Sequence, residues 1–218
     1  MIKKINLVTF FMMIIGISLV GLGVSVLRIT NVGTDPFSAM NIGFSQISGL
    51  SFGVAQLIVN IIIFIVQLKY SRDTIGLGTL LNLTLLAFIS DFFLSLFQNF
   101  GWSSLNLIQR GIGLILAVLI ISFGMSLYMT SGLGVAPYDS LGMFLPKVTK
   151  IPFRVWRVLT DGTCVVIAFF CKSTIGIGTL AIFLLTGPTV SMINNKFTVK
   201  FKEHLENLSL SRNQIHSN

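Results

Sequence analysis

Asp161 and Arg157 stand one helical turn apart in a largely apolar stretch. An ionisable side chain at the centre of a membrane helix costs ~2.5–3.5 kcal/mol, so the pair calls for a reason. Either the two charges neutralise each other as a structural staple, or they form part of a site, with a cationic partner at Asp161 or an anionic one at Arg157. An offset of 101 residues places Gln56 and Asn60 at the corresponding positions of an earlier apolar stretch, a polar face without charge. A second group lies between helices. Asp35-Pro36 reads as an N-cap followed by the first helical residue, Gly49 as a stop, and Asn41 falls between them. Further on, Pro137 is again a first helical residue, Asp139 sits in the first turn near the positive end of the helix dipole, and Pro146 is expected to truncate the helix. Asp91, deep in another apolar run, reads as half of a structural ion pair, with Arg28 or Arg110 as partner.

These residues are candidates for binding or coupling a solute. None of them makes a catalytic set: His204 and His216 lie in the polar tail, and no paired carboxylates or nucleophile–base constellation is evident. No metal or cofactor site and no enzyme is expected. No GxxxxGK[ST] loop occurs, so ATP-driven work would need another subunit. Cys164 and Cys171 share an apolar helix face, which suits packing and rules out a disulfide framework.

The elements that position these residues follow from composition. Only 10% of the 218 residues are charged and 53% are hydrophobic, against about 25% charged in a soluble domain. Apolar runs near Leu7–Leu27, Gly53–Leu68, Ile75–Phe97, Gly111–Thr130, Pro152–Cys171 and Thr174–Ile193 give six candidate spans, each near the ~20 residues that cross a ~30 Å hydrocarbon core. The first is too long for a signal-peptide core and has no A-x-A-like cleavage site after it, so it reads as a retained helix. Of the 15 Lys+Arg, only Arg28, Arg110 and Lys172 fall on the outer side of this arrangement. That bias predicts cytoplasmic N- and C-termini. It also assigns the net charge of +8 to anionic inner-leaflet lipid rather than nucleic acid. Lys196–Leu208 reads either as an amphipathic helix on that surface or as a solvated tail.

The chain is also written twice. Gly23-x-Ser25, Gly33-x-x-Pro36-Phe37 and Phe52-x-Val54 return as Gly124-x-Ser126, Gly134-x-x-Pro137-Tyr138 and Phe153-x-Val155, all offset by 101. The run Thr74–Leu80 returns as Thr174–Leu180 at an offset of 100 with one residue changed. Three spans per copy is an odd number, so the copies would enter the membrane from opposite sides, an inverted-topology repeat. The fold expected is an all-α membrane protein of six transmembrane helices in a 3+3 inverted repeat, with a short helix after the first span of each half. Each short helix either dips into the membrane or lies at its surface. The divisions are an N-terminal segment 1–6, repeats at 7–97 and 111–194, an external loop 98–110 and a basic tail 195–218. The Gly-x-Gly-Thr elements opening spans three and six are read as packing points at the repeat interface.

The twice-occurring Gly-x-x-Pro-[Phe/Tyr] and Gly-x-Gly-Thr-Leu resemble the bacterial YczE/YyaS/YitT group of membrane proteins, over about Gly16 to Asn194. The resemblance implies a multi-pass protein of the bacterial cell membrane and supplies no substrate. Two functions remain open: a secondary transporter or facilitator of a small polar solute, or an accessory, regulatory or complex-forming membrane subunit.

Overall fold

The computed structural model describes residues 6–102, 105–151, 153–173 and 175–205. The described residues form helices α1 (Leu7–Thr30), α2 (Pro36–Ser48), α3 (Phe52–Tyr70), α4 (Leu77–Asn99), α5 (Leu107–Ser131), α6 (Pro137–Thr149), α7 (Phe153–Phe170) and α8 (Ile177–Ile193), with a 3₁₀ turn at Arg72–Thr74 and no strand among them. Phe11, Ile15, Ile62, Ile65, Phe92 and Phe169 are among the many large apolar side chains turned outwards. An apolar exterior on that scale belongs in lipid. The protein is a multi-pass membrane protein.

Among the described residues five helices are long and apolar enough to cross a bilayer: α1, α3, α4, α5 and the helix that starts at Ile177. The expected span Pro152–Cys171 is not among these five. Arg154, Arg157 and Asp161 fall in the first half of α7, and only Val158–Phe170 is apolar.

Glycine sets the central contact. α1 and α5 run antiparallel and so close that a Cβ on Gly16 would stand 2.6 Å from the Tyr128 nitrogen, one on Gly124 2.7 Å from the Gly16 oxygen, and one on Gly113 2.5 Å from the Thr30 methyl. Around this axis Met13, Ile17, Val20, Leu27, Leu86, Ala117, Ile121 and Ile182 form one core. Phe37, Ala39, Met40, Tyr138, Cys164 and Ala168 form another where α2, α6 and α7 meet. Cys164 is buried and forms no disulfide.

Each half docks its loop on the other. Gly78 N–H donates to the Leu133 carbonyl at 2.8 Å, and Gly178 N–H donates to the Val32 carbonyl at 2.9 Å. Within each Gly-x-Gly-Thr element the threonine hydroxyl accepts from the first glycine's amide, Gly76 to Thr79 at 3.1 Å and Gly176 to Thr179 at 3.3 Å. Two orphan donors at the start of each helix thereby find partners. Gly33 and Gly134, at φ +116° and +122°, turn the loops where side-chain-bearing residues rarely go.

Two segments depart from what the amino-acid sequence predicts. Pro146 does not end its helix: α6 runs to Thr149, since one missing N–H late in a helix removes only one bond of the ladder. No break separates the second repeat from the tail at 194/195. The chain passes from α8 through a π-helical turn, Asn194–Thr198, and stays helical to Leu205. Hydrogen bonds to α5 hold it: Thr130 Oγ1 to Asn194 at 2.7 Å, Ser126 with Thr198 at 2.6 Å, and Lys202 Nζ to the Thr130 carbonyl at 3.0 Å. Both tail alternatives, a separate surface helix or a solvated segment, give way up to Leu205 to a continuation of α8 packed on α5.

Candidate functional site

α2 begins as its residues dictate. The Asp35 carboxylate accepts from Ser38 N at 3.0 Å, Pro36 takes the first position, and Gly49 closes the helix at φ +71°. α6 likewise starts at Pro137. The two N-terminal turns meet: the rings of Phe37 and Tyr138, counterparts in the repeat, stack with centroids 4.3 Å apart.

Beside this stack lies a cavity of about 360 Å³. Asp35 at the N-cap of α2, Pro36 of α2, Gln56 and Asn60 of α3, Asp139 of α6 and Asp161 of α7 all line it. Of the remaining sequence candidates, Asn41 and Pro137 are buried outside the lining, Asn41 donating to the Phe37 carbonyl at 2.7 Å. The Arg157 side chain lies outside the described residues, and with it the Arg157–Asp161 staple.

Two tyrosines hold two of the carboxylates. Tyr128 OH donates to Asp139 Oδ2, and Tyr138 OH donates to Asp161 Oδ1. Cys164 Sγ stands 3.7 Å from the Tyr138 oxygen. Both carboxylates are buried, at 8% and 5% exposure. The amides differ. Gln56, Asn60 and Asn82 are all at most 5% exposed and line the cavity. Gln56 Oε1 has no hydrogen-bond partner, and no bond joins Asn60 or Asn82 to another described residue. Buried amides are normally satisfied within the protein; these three face the cavity.

Tyr128, Asn82 and Ser38 line the cavity without having been singled out in the sequence, and Tyr138, named there only as part of the repeated motif, lines it too. One signal was there for Tyr138. The first half has Phe37 with Asn60, the second Tyr138 with Asp161. The hydroxyl appears in the half where the carboxylate appears.

Residues 7–195 match a family described as a family of unknown function, DUF6198. The chain belongs to this family. This DUF6198 member is 30% identical to the uncharacterized protein YyaS of Bacillus subtilis over 176 residues, 79% of this chain and 86% of the relative. It is 28% identical to the uncharacterized membrane protein YczE of the same organism over 156 residues, 72% and 71% of the two chains. A Haemophilus influenzae protein is 23% identical over 187 residues, 86% and 84%. No solved structure matches. The YczE/YyaS resemblance read from the twice-written motifs is therefore correct, and the match spans both halves of this DUF6198 chain.

Away from the cavity, Arg28 Nη1 meets Asp91 Oδ1 at 2.6 Å and Ser90 Oγ at 3.2 Å, with its guanidinium 4.3 Å from the Phe52 ring centre. Asp91 Oδ2 also accepts from Gly53 N at 3.0 Å. Of the two partners considered for Asp91, Arg28 is the right one; Arg110 bonds the Leu105 carbonyl instead. The network ties α1, α3 and α4 together at one end of the bundle. The counterparts of Arg28 and Asp91, Met129 and Ser191, lie near the opposite end and line the cavity.

Proposed function

We propose that this protein is a secondary transporter or facilitator of a small polar solute in the bacterial cell membrane, and not an enzyme. The observation that carries the reading is the cavity walled by both halves, with buried amides that no described residue satisfies. Six spans in a 3+3 inverted repeat account for its symmetry, with α7 as the span whose polar residues serve the cavity rather than lipid. Three further features support that arrangement: the reciprocal docking of Val32 on Gly178 and of Leu133 on Gly78, the antiparallel α1–α5 crossing, and the meeting of Phe37 with Tyr138. In this arrangement α2 and α6 are re-entrant half-helices whose N-terminal turns point at the solute from opposite faces. The cavity reaches Met129 and Ser191, whereas the Arg28–Asp91 pair lies outside its lining.

Uptake by proteoliposomes across a panel of small solutes tests the function. Concentrative or saturable entry of one chemical class is the expected result, and leak-level entry of every class would remove the transporter reading. Orientation has its own test, since the termini and the inner-leaflet partner are proposed to be cytoplasmic. A cysteine replacing Arg72 should be protected from membrane-impermeant thiol reagents in intact cells, and one replacing Asn99 should be labelled. The reverse pattern would invert the topology and move Lys196 and Lys200 away from anionic inner-leaflet lipid.

A further inference from the structure

The carboxylates of the cavity are engaged before anything enters it. Tyr128 OH donates to Asp139, Tyr138 OH donates to Asp161, and Ser38 N–H donates to Asp35. None of the three stands free. The neutral amides are the reverse case. Gln56 and Asn60 of α3 and Asn82 of α4 are at most 5% exposed and line the same cavity. Gln56 Oε1 has no hydrogen-bond partner, and neither has the hydroxyl of Thr186, a lining residue of α8. The Asn60 and Asn82 side chains make no bond with a described residue. What the protein leaves unbonded at this site is therefore neutral and comes from three helices.

A carboxamide carries two N–H donors and a carbonyl acceptor on one planar group. Three of them offer donors and acceptors together whichever way each is turned, so a solute that satisfies them must carry both. A ketone or a carboxylate, which only accepts, would leave the amide carbonyls without donors. An ammonium, which only donates, would leave the amide N–H groups without acceptors. In a buried site each orphaned group is costly. An ion meets a second obstacle, since it would lose its water among Val20, Leu86, Ile121 and Ile182, beside carboxylates that already have partners. The cavity volume, about 360 Å³, is at the small end of the ~300–1,000 Å³ range of ligand pockets.

We propose that the site takes a small uncharged solute with an N–H donor and a carbonyl acceptor side by side, as in a carboxamide, a urea or a lactam. That group pairs with Gln56, Asn60 and Asn82, and the apolar remainder lies against the aliphatic walls. This deepens the transporter reading and rests on the same cavity, although binding does not require transport.

Ligands of nearly one shape separate the alternatives. Benzamide and isovaleramide carry donor and acceptor, acetophenone and methyl isobutyl ketone the acceptor alone, benzoate and isovalerate a negative charge, and benzamidinium a positive one. The full chain in lipid nanodiscs is titrated with each, and empty nanodiscs correct for partition into lipid. Saturable binding of at least one amide is expected, roughly tenfold or more tighter than its ketone and tighter than either kind of ion. Gln56→Leu and Asn60→Leu each remove a group that no described residue bonds. The unfolding midpoint should therefore hold in both, while amide affinity falls several-fold and the margin over the ketone shrinks. Binding of neither amide, tighter binding of a ketone or an ion, or amide affinity unchanged in both variants would overturn the proposal. So would a lowered midpoint in both, which would mean that the protein itself uses these amides. The same ligands are then offered to proteoliposomes. An amide that binds without protein-dependent entry supports this inference and sinks the transport reading. Protein-dependent entry of an ion in preference to the amides keeps transport and sinks this inference.

Discussion

Alanine at Gly76 or Gly176 is expected to leave little folded protein. A Cβ at Gly76 would lie 2.2 Å from the Leu133 carbonyl oxygen, and one at Gly176 2.2 Å from that of Val32. Both obstacles are backbone atoms, which cannot rotate aside as a side chain would. Their φ values, −165° and −150°, suit any residue, so the demand is for closeness and not for conformational freedom. Moving helix and loop apart would break the Gly78–Leu133 or Gly178–Val32 hydrogen bond. Overpacking costs about 1–3 kcal/mol, and each buried polar group left orphaned about 1–3 kcal/mol. Against a total stability of roughly 5–15 kcal/mol, either change alone should lower the unfolding midpoint sharply and reduce the monodisperse fraction in detergent. Gly162→Ala is the control. It lies inside α7 with nothing within 4 Å of its would-be Cβ, and a helical alanine should gain about 0.5–1 kcal/mol there. Gly76→Ala protein that unfolds with the parent would show that the two halves do not interlock as described.

Breaking the Arg28–Asp91 pair from one side should be costly, and removing it from both sides should not. Arg28 is 14% exposed and Asp91 29%, so neither is fully stripped of water. Truncating one partner of a fully buried pair costs about 3–5 kcal/mol, and this partial exposure brings the expectation for Asp91→Ser down to about 2–3 kcal/mol. Asp91→Ser also takes away the acceptor of Gly53 N–H at the start of α3, which ties the loss to a third helix. The second half of the molecule shows what can replace the pair, since Met129 and Ser191 occupy the counterpart positions. Arg28→Met with Asp91→Ser should accordingly fold within about 1 kcal/mol of the parent. Thermal unfolding of the two singles and the double gives the coupling energy directly. Additive losses would mean that the two charges do not act as a pair.

The membrane class, the helical elements and the twice-written pattern were all legible in the amino-acid sequence, because each depends on residues close together in the chain. Apolar runs name helices by length alone. Asp35-Pro36 and Gly49 mark the ends of α2 by local backbone chemistry, and repetition shows in the order of Gly23, Gly33, Pro36 and Thr74 against their counterparts. Local reading failed where a distant partner decides the outcome. Pro146 looked like a stop, and Lys196–Leu208 looked like a surface segment or a loose tail, because nothing near it in sequence announces that Ser126 and Thr130 hold it. The candidate site divides in the same way. The repeat pointed to Gln56, Asn60 and Asp161 as one polar face, yet which carboxylates share a cavity is a matter of how α2, α6 and α7 converge. Asn41, buried but outside that cavity, and Tyr128, inside it but not anticipated, differ in nothing that composition or spacing records. Side-chain hydrogen bonds such as Tyr128 to Asp139 and Tyr138 to Asp161 join separate helices. Their existence depends on crossing geometry set by Gly16, Gly124 and the interlocked loops, and only the tertiary structure contains it.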